Sequence, residues 1–235
     1  MKNVTKSERI AIDMLAEIRR ERMEPGDRLP TEQELGDRYG VSRSVIREAT
    51  RTLVTRGIVE VGSGRGLSVT AVGGDVASEQ LMLYLEARFD GGYRSVHEVR
   101  EVLEIQAARF AAERAERPDL TALEESHAKM IAASTEGLET ISKADIEFHR
   151  QIAIATGNEI FVVLLDAIAP TLNEPRVKNL VTAAGREEAI TGHREILDAI
   201  AEGDAERAAA AMKGHLDKVI ARLSTTAEGE STDAG

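Results

Sequence analysis

In the stretch from Ser7 to Arg20, apolar residues fall at Ile10, Met14, Leu15 and Ile18, the spacing of a helix that buries one face. The run MEPGDRLP then interrupts the pattern with Pro25, Gly26 and Pro30. Thr31 followed by Glu34 reads as a capping box for a helix over 32–39, which Gly40 closes. Ser42 stands at the cap of a further helix running to about Arg56 and stopping at Gly57. Next, IVEVGSGRGLSVT places two β-rich runs around a Gly-rich turn, a hairpin signal. AVGGD, residues 71–75, has no apolar periodicity and predicts a linker, with the join between the two domains drawn at 73–77. Beyond it the spacing is helical throughout, with helices predicted over 76–88, 95–116, 119–134, 138–156, 159–172, 186–202 and 204–224. Breaks fall at Gly91–Gly92, Pro118, Gly137, Gly157, Pro170–Pro175 and Gly203.

Helix, then helix–turn–helix, then hairpin is the element order of a winged helix-turn-helix. The chain is therefore expected to be mostly α. Residues 1–72 form the winged head with its small β-hairpin, residues 78–225 an all-helical bundle, and the polar segment 226–235 a disordered tail. Charge sharpens that division. The net charge of −11 disfavours nucleic-acid binding by the chain taken whole, yet residues 1–72 carry 13 Lys and Arg against 11 Asp and Glu. A near-neutral head with clustered arginines on an acidic body suits a DNA-binding unit whose body the duplex repels. The absence of cysteine removes disulfides and thiolate metal sites, so any metal must be held by His, Asp, Glu or water. Glu8, Asp13 and Glu17 interrupt the first apolar stretch, and no run reaches membrane-spanning length. A cytoplasmic protein is expected.

The segment PTEQELGDRYGVSRSVIREATRTLVTRGIVEVGSGRG carries LP–x–E–x–EL, YGVSR–x–x–IREA, L–x–x–x–GI and a Gly-rich wing. It resembles the winged-helix head of the GntR superfamily of bacterial regulators. The resemblance implies binding to palindromic operator DNA as a homodimer, and the physics of the residues agrees. The second helix of the motif enters the major groove by its N-terminus. Arg43 there suits the O6 and N7 of guanine, and Arg47, one turn on, reaches a base edge or the backbone. Ser42 and Ser44 suit phosphate oxygens. In the wing, Ser63, Gly64 and Arg65 face the duplex, Gly64 and Gly66 allowing close backbone approach and Arg65 adding charge. Gln33 stands where members of the superfamily often carry a base-reading Arg. Glutamine reads adenine but lacks charge, so the operator sequence does not transfer.

Five histidines occur: His97, His127, His149, His193 and His215. Asp145 and His149 are four apart and share a helix face. His193 and His215 lie in strongly apolar-periodic helices and are expected to point inward, so three imidazoles and a carboxylate from three helices can meet at a divalent metal. For each histidine alone, a core residue satisfied by a local hydrogen bond explains as much. D–x–x–FH, H–x–x–IL–x–AI–x–x–GD and M–x–x–HL together resemble the FadR-type ligand-binding domain, the FCD domain, of GntR regulators. The resemblance implies that Asp145, His149, His193 and His215 hold a divalent ion, zinc first, with nickel or manganese as alternatives. It implies too that a small carboxylate-bearing metabolite binds beside the ion and alters operator binding, most simply in a repressor.

Two residues are carried as effector-binding candidates. Arg100 matches a cavity-facing position but is also spaced to pair with Glu104; Asn158 matches a family position but also suits a helix cap. His97 and His127 match nothing and are expected at the surface. The alternative reading is a metal-dependent hydrolase with an appended DNA-binding head. It would need a general base or nucleophile beside the metal, and the sequence offers none.

Overall fold

A capping box of Thr5 and Glu8 starts α1 (Lys6–Arg20), whose Ile10, Met14 and Ile18 are buried as their spacing predicts. A second box, Thr31 with Glu34, starts α2 (Glu32–Tyr39), and Gly40 ends it in the left-handed conformation with φ of 61°. A side chain at Gly36 would come within 3.2 Å of the Val41 carbonyl oxygen, so glycine there lets the turn close before α3 (Arg43–Thr55). Strands β1 (Val59–Gly62) and β2 (Gly66–Val69) pair antiparallel, with Val59 opposite Val69. The interrupting run is more than a break. Gly26 and Leu29 donate backbone hydrogen bonds to Val69 and Leu67, each 2.9 Å long, which occupies the other edge of β2. Leu35, Ile46, Ala49, Leu53, Val59 and Leu67 complete one core with α1.

In the computed structural model, residues 4–62, 66–70, 81, 83–84 and 93–232 are described, and the chain divides into two units, Met1–Val76 and Ala77–Gly235. The linker expected over 73–77, the wing residues Ser63, Gly64 and Arg65, and most of the helix expected over 76–88 lie outside the described residues.

The second unit is helical. It comprises α4 (Tyr93–Arg114), α5 (Arg117–Ala133), α6 (Leu138–Ala155), α7 (Glu159–Ile168), a 3₁₀ turn (Ala169–Leu172), α8 (Asn173–Leu180), α9 (Ala183–Ala201) and α10 (Ala205–Thr232). Its largest core cluster joins Leu123, Phe148, Ile152, Ile196, Leu197, Met212 and Leu216 to Ala107, Ala108 and Ala111 of α4. Small side chains on α4 let neighbouring helices approach closely. Burying each large aliphatic residue contributes roughly 1.5–3 kcal/mol. No helix among the described residues is long and apolar enough to cross a membrane.

The structure corrects three expectations. Helix α8 starts within the break expected at Pro170–Pro175 and runs on to Leu180, where no helix was predicted. Proline in a first helical turn is tolerated, because the amide it lacks has no intrahelical acceptor there. Helix α10 continues to Thr232, into the segment expected to be disordered, since extending a packed helix needs no new nucleus. His97 and His127 are buried, each 6% exposed, and His127 Nε2 lies 3.1 Å from the Ile190 carbonyl oxygen.

Candidate functional site

Helix α6 presents Asp145 and His149 one turn apart, both about 95% buried. Helix α9 brings His193, fully buried, and α10 brings His215, 4% exposed. The ligating atoms of His149, His193 and His215 all lie within 4.8 Å of one another, from three different helices. His149 Nε2 and His193 Nε2 stand 3.2 Å apart. Two nitrogens bound to one zinc at about 2.0–2.1 Å stand roughly 2.9–3.4 Å apart, so this pair already has the spacing of ligands to a shared ion. Asp145 Oδ1 is 3.5 Å from His193 Nε2 and adds an anionic oxygen at the edge of the cluster. The donors therefore fit a divalent ion.

The surroundings hold these rings in place. The ring of Phe148 stacks on His193 with centroids 4.1 Å apart and planes 12° from parallel. A Cβ at Gly192 would sit 2.8 Å from His215 Nδ1, so glycine at that place on α9 makes room for the imidazole of α10. Glu104 Oε2 lies against His149 Nδ1. A carboxylate there keeps the proton on Nδ1 and leaves the Nε2 lone pair turned to the cluster. The sequence reading treated Glu104 only as a partner for Arg100; their spacing of four on α4 was the available signal. Arg100 makes the ion pair with Glu104 that its spacing predicts and also stands beside the imidazoles. It is 4% exposed, its Nε is 2.5 Å from Glu104 Oε1, and its Nη2 is 3.4 Å from His149 Nε2.

Sequence reasoning missed Arg176. It lies on α8, just past the break read at Pro170–Pro175 and outside every predicted helix, and donates from Nε to Asp145 Oδ2 at 2.6 Å. No local pattern links residues 31 apart. Asn158, by contrast, is exposed at the start of α7, where its Oδ1 accepts from the Ile160 amide at 3.1 Å; it caps the helix.

Burial opposes ionisation of Asp145, but Arg176 and the imidazoles outweigh it and hold the carboxyl well below the usual range. For Glu104, burial is likewise overcome by Arg100 and His149. Burial, reinforced by the neighbouring His149, pushes His215 down to about 3. Burial and His215 push His193 down as well. Those two rings are thus neutral at pH 7, the form that binds metal. The carboxylates are ionised, arginine-paired and weakly basic, which makes them poor general bases for a hydrolase.

In the first unit, Gln33, Ser42, Arg43, Ser44 and Arg47 are all exposed, at the start of α2 and α3. Arg43 Nη2 donates to Gln33 Oε1 at 2.7 Å, bringing the two candidate base readers together. Arg47 pairs with Glu32 at 2.9 Å. Ser42 occupies the N-cap of α3, but its hydroxyl meets Ser44 Oγ at 2.8 Å and does not cap the helix.

Comparison with known proteins gives two family matches. Residues 6–69 match the gntR family of bacterial regulatory proteins, and residues 95–218 match the FCD domain. The chain is 30% identical to the HTH-type transcriptional regulator LutR of Bacillus subtilis, over 86% of this chain and 94% of that protein. It is also 30% identical to the galactonate operon transcriptional repressor of Escherichia coli, over 87% of this chain and 91% of that one. Among solved structures, Streptococcus agalactiae GntR superposes with a TM-score of 0.75 at 29% identity, covering 91% of this chain and 98% of that one.

Proposed function

Since this chain belongs to the gntR family of bacterial regulatory proteins and carries an FCD domain, a family of transcriptional regulators and not of enzymes, we propose that it is a repressor released by a small organic acid. The observation that carries this reading is the convergence of three buried imidazoles and Asp145, ringed by paired arginines, in a chain whose other unit exposes Arg43 and Arg47 at a helix N-terminus. Asp145, His149, His193 and His215 would hold the ion, with zinc favoured by the nitrogen-rich donor set. When bound, the cation supplies a Lewis-acidic point of attraction for an oxyanion.

The chain's own residues do the rest. Arg100 stands at the edge of the cluster and donates to the acid's carboxylate. Glu104 keeps Arg100 and His149 oriented. Helices α6, α9 and α10 shift as the acid is gripped, and the segment 73–77 passes the shift to the heads. A single head reads too few base pairs for tight binding, so the functional species is a two-fold dimer on a palindromic site. Val99 and Val102 of α4, 50% and 67% exposed, are apolar surface available for that contact.

Gel-shift titration of an operator fragment with candidate acids, before and after chelation, tests the proposal. Acid-dependent release that is lost on chelation is expected. Release that ignores both treatments overturns it.

A further inference from the structure

Asp145 turns one oxygen toward the imidazole cluster and gives the other to Arg176. Its Oδ1 stands 3.5 Å from His193 Nε2, while its Oδ2 accepts from Arg176 Nε at 2.6 Å. The two side chains are 8% and 6% exposed, so solvent screens the pair little. Helix α8, which carries Arg176, is fixed at its far end by α9. Arg186 donates to the carbonyl oxygens of Leu180 and Val181 at 2.9 and 3.1 Å, and a side chain at Gly185 would strike the Asn179 carbonyl oxygen. For both Asp145 oxygens to reach one ion, Oδ2 would have to leave Arg176 and strand a buried guanidinium without its carboxylate.

We infer that Arg176 decides which divalent ion the cluster takes, by holding Asp145 to a single oxygen ligand. Three imidazoles and one carboxylate oxygen make the small, nitrogen-rich shell that zinc accepts at about 2.0–2.2 Å. Manganese binds nitrogen donors more weakly and draws on carboxylate and water oxygens, so it gains most from a second Asp145 oxygen. Arg176 keeps that oxygen from it. Arg176 is thus a positioning residue that acts through Asp145. This rests on the ion-binding reading above and adds to it the residue that selects among ions.

The test is chelator-competition titration of the full-length protein, stripped of metal, with zinc and with manganese. Wild-type protein is expected to prefer zinc. In Arg176→Met, which keeps much of the side chain's bulk and loses every donor, zinc affinity relative to manganese should fall by about tenfold or more. Loss of a nearby positive charge, or a general loosening of the bundle, acts on both divalent ions alike, so the ratio isolates the oxygen count. An unchanged ratio in Arg176→Met overturns the inference while the ion-binding reading stands. Should that variant fail to fold, crystals of zinc-loaded wild-type protein decide instead. One Asp145 oxygen within about 2.2 Å of the ion, with Arg176 still on the other, is expected, and two oxygens within that distance overturn the inference. Wild-type protein that binds neither ion overturns both readings.

Discussion

Gly192 and His215 meet across the α9–α10 interface so closely that a methyl group on the first would stand 2.8 Å from Nδ1 of the second. Alanine is the better helix former by about 1 kcal/mol, so Gly192→Ala should help α9 if helix propensity were all that counted. The packing argument wins, because contact that close forces the His215 ring to move. Gly192→Ala is expected to lower zinc affinity by about tenfold or more, with helix content unchanged. Chelator-competition titration and far-ultraviolet circular dichroism measure the two quantities.

Glu104 holds Arg100 on one oxygen and His149 on the other. Glu104→Gln removes the charge but keeps the shape, leaving Arg100 buried without its carboxylate. Breaking a buried pair from one side costs about 3–5 kcal/mol, so the urea midpoint should fall substantially. Zinc affinity should fall by about 10–100-fold as His149 loses its anchor. A variant with wild-type midpoint and zinc binding would show that Glu104 supports neither.

The pH dependence has a definite sign. His215 titrates near 3 in the folded protein and His193 is also depressed, so the unfolded chain takes up protons below the usual histidine value of about 6.5 while these rings stay neutral. Asp145 and Glu104 are depressed too, and their contribution is lost as pH falls below the usual carboxylate range. Both effects act in one direction. The melting temperature of chelator-treated protein should fall steadily from pH 7 to pH 5 and more steeply below. A flat profile over that interval would contradict the buried, neutral state of the two rings.

In the head, Arg43 and Gln33 are hydrogen-bonded to each other, and operator DNA is expected to meet them as a unit. Arg43→Ala should cost about 1–3 kcal/mol, roughly 10–100-fold, in specific operator affinity and flatten discrimination at one base pair of each half-site. Arg47→Ala, if Arg47 meets a phosphate, should weaken specific and random DNA alike and reduce the salt slope by about one. Binding measured at two or more salt concentrations separates the two roles.

Much of this was legible from residue order because it depends on neighbours in the chain. The capping box of Thr31 and Glu34, the left-handed stop at Gly40 and the inward faces of Asp145, His149, His193 and His215 are consequences of helical spacing. Helix α8 was hidden because Pro175 reads as a breaker. Only its place in the first turn, where no amide is needed, makes it harmless. The burial of His127 was hidden for a different reason: the carbonyl that satisfies it belongs to Ile190, 63 residues away.

The order of residues by itself determined most of the elements and the inward faces of His149, His193 and His215, since periodicity and capping act within a few residues. Tertiary structure alone decided that Glu104 faces His149, that Gly192 makes room for His215 and that Arg176 holds Asp145. Those are pairings between helices, set by packing and by the need to neutralise buried charge, and no local spacing encodes them.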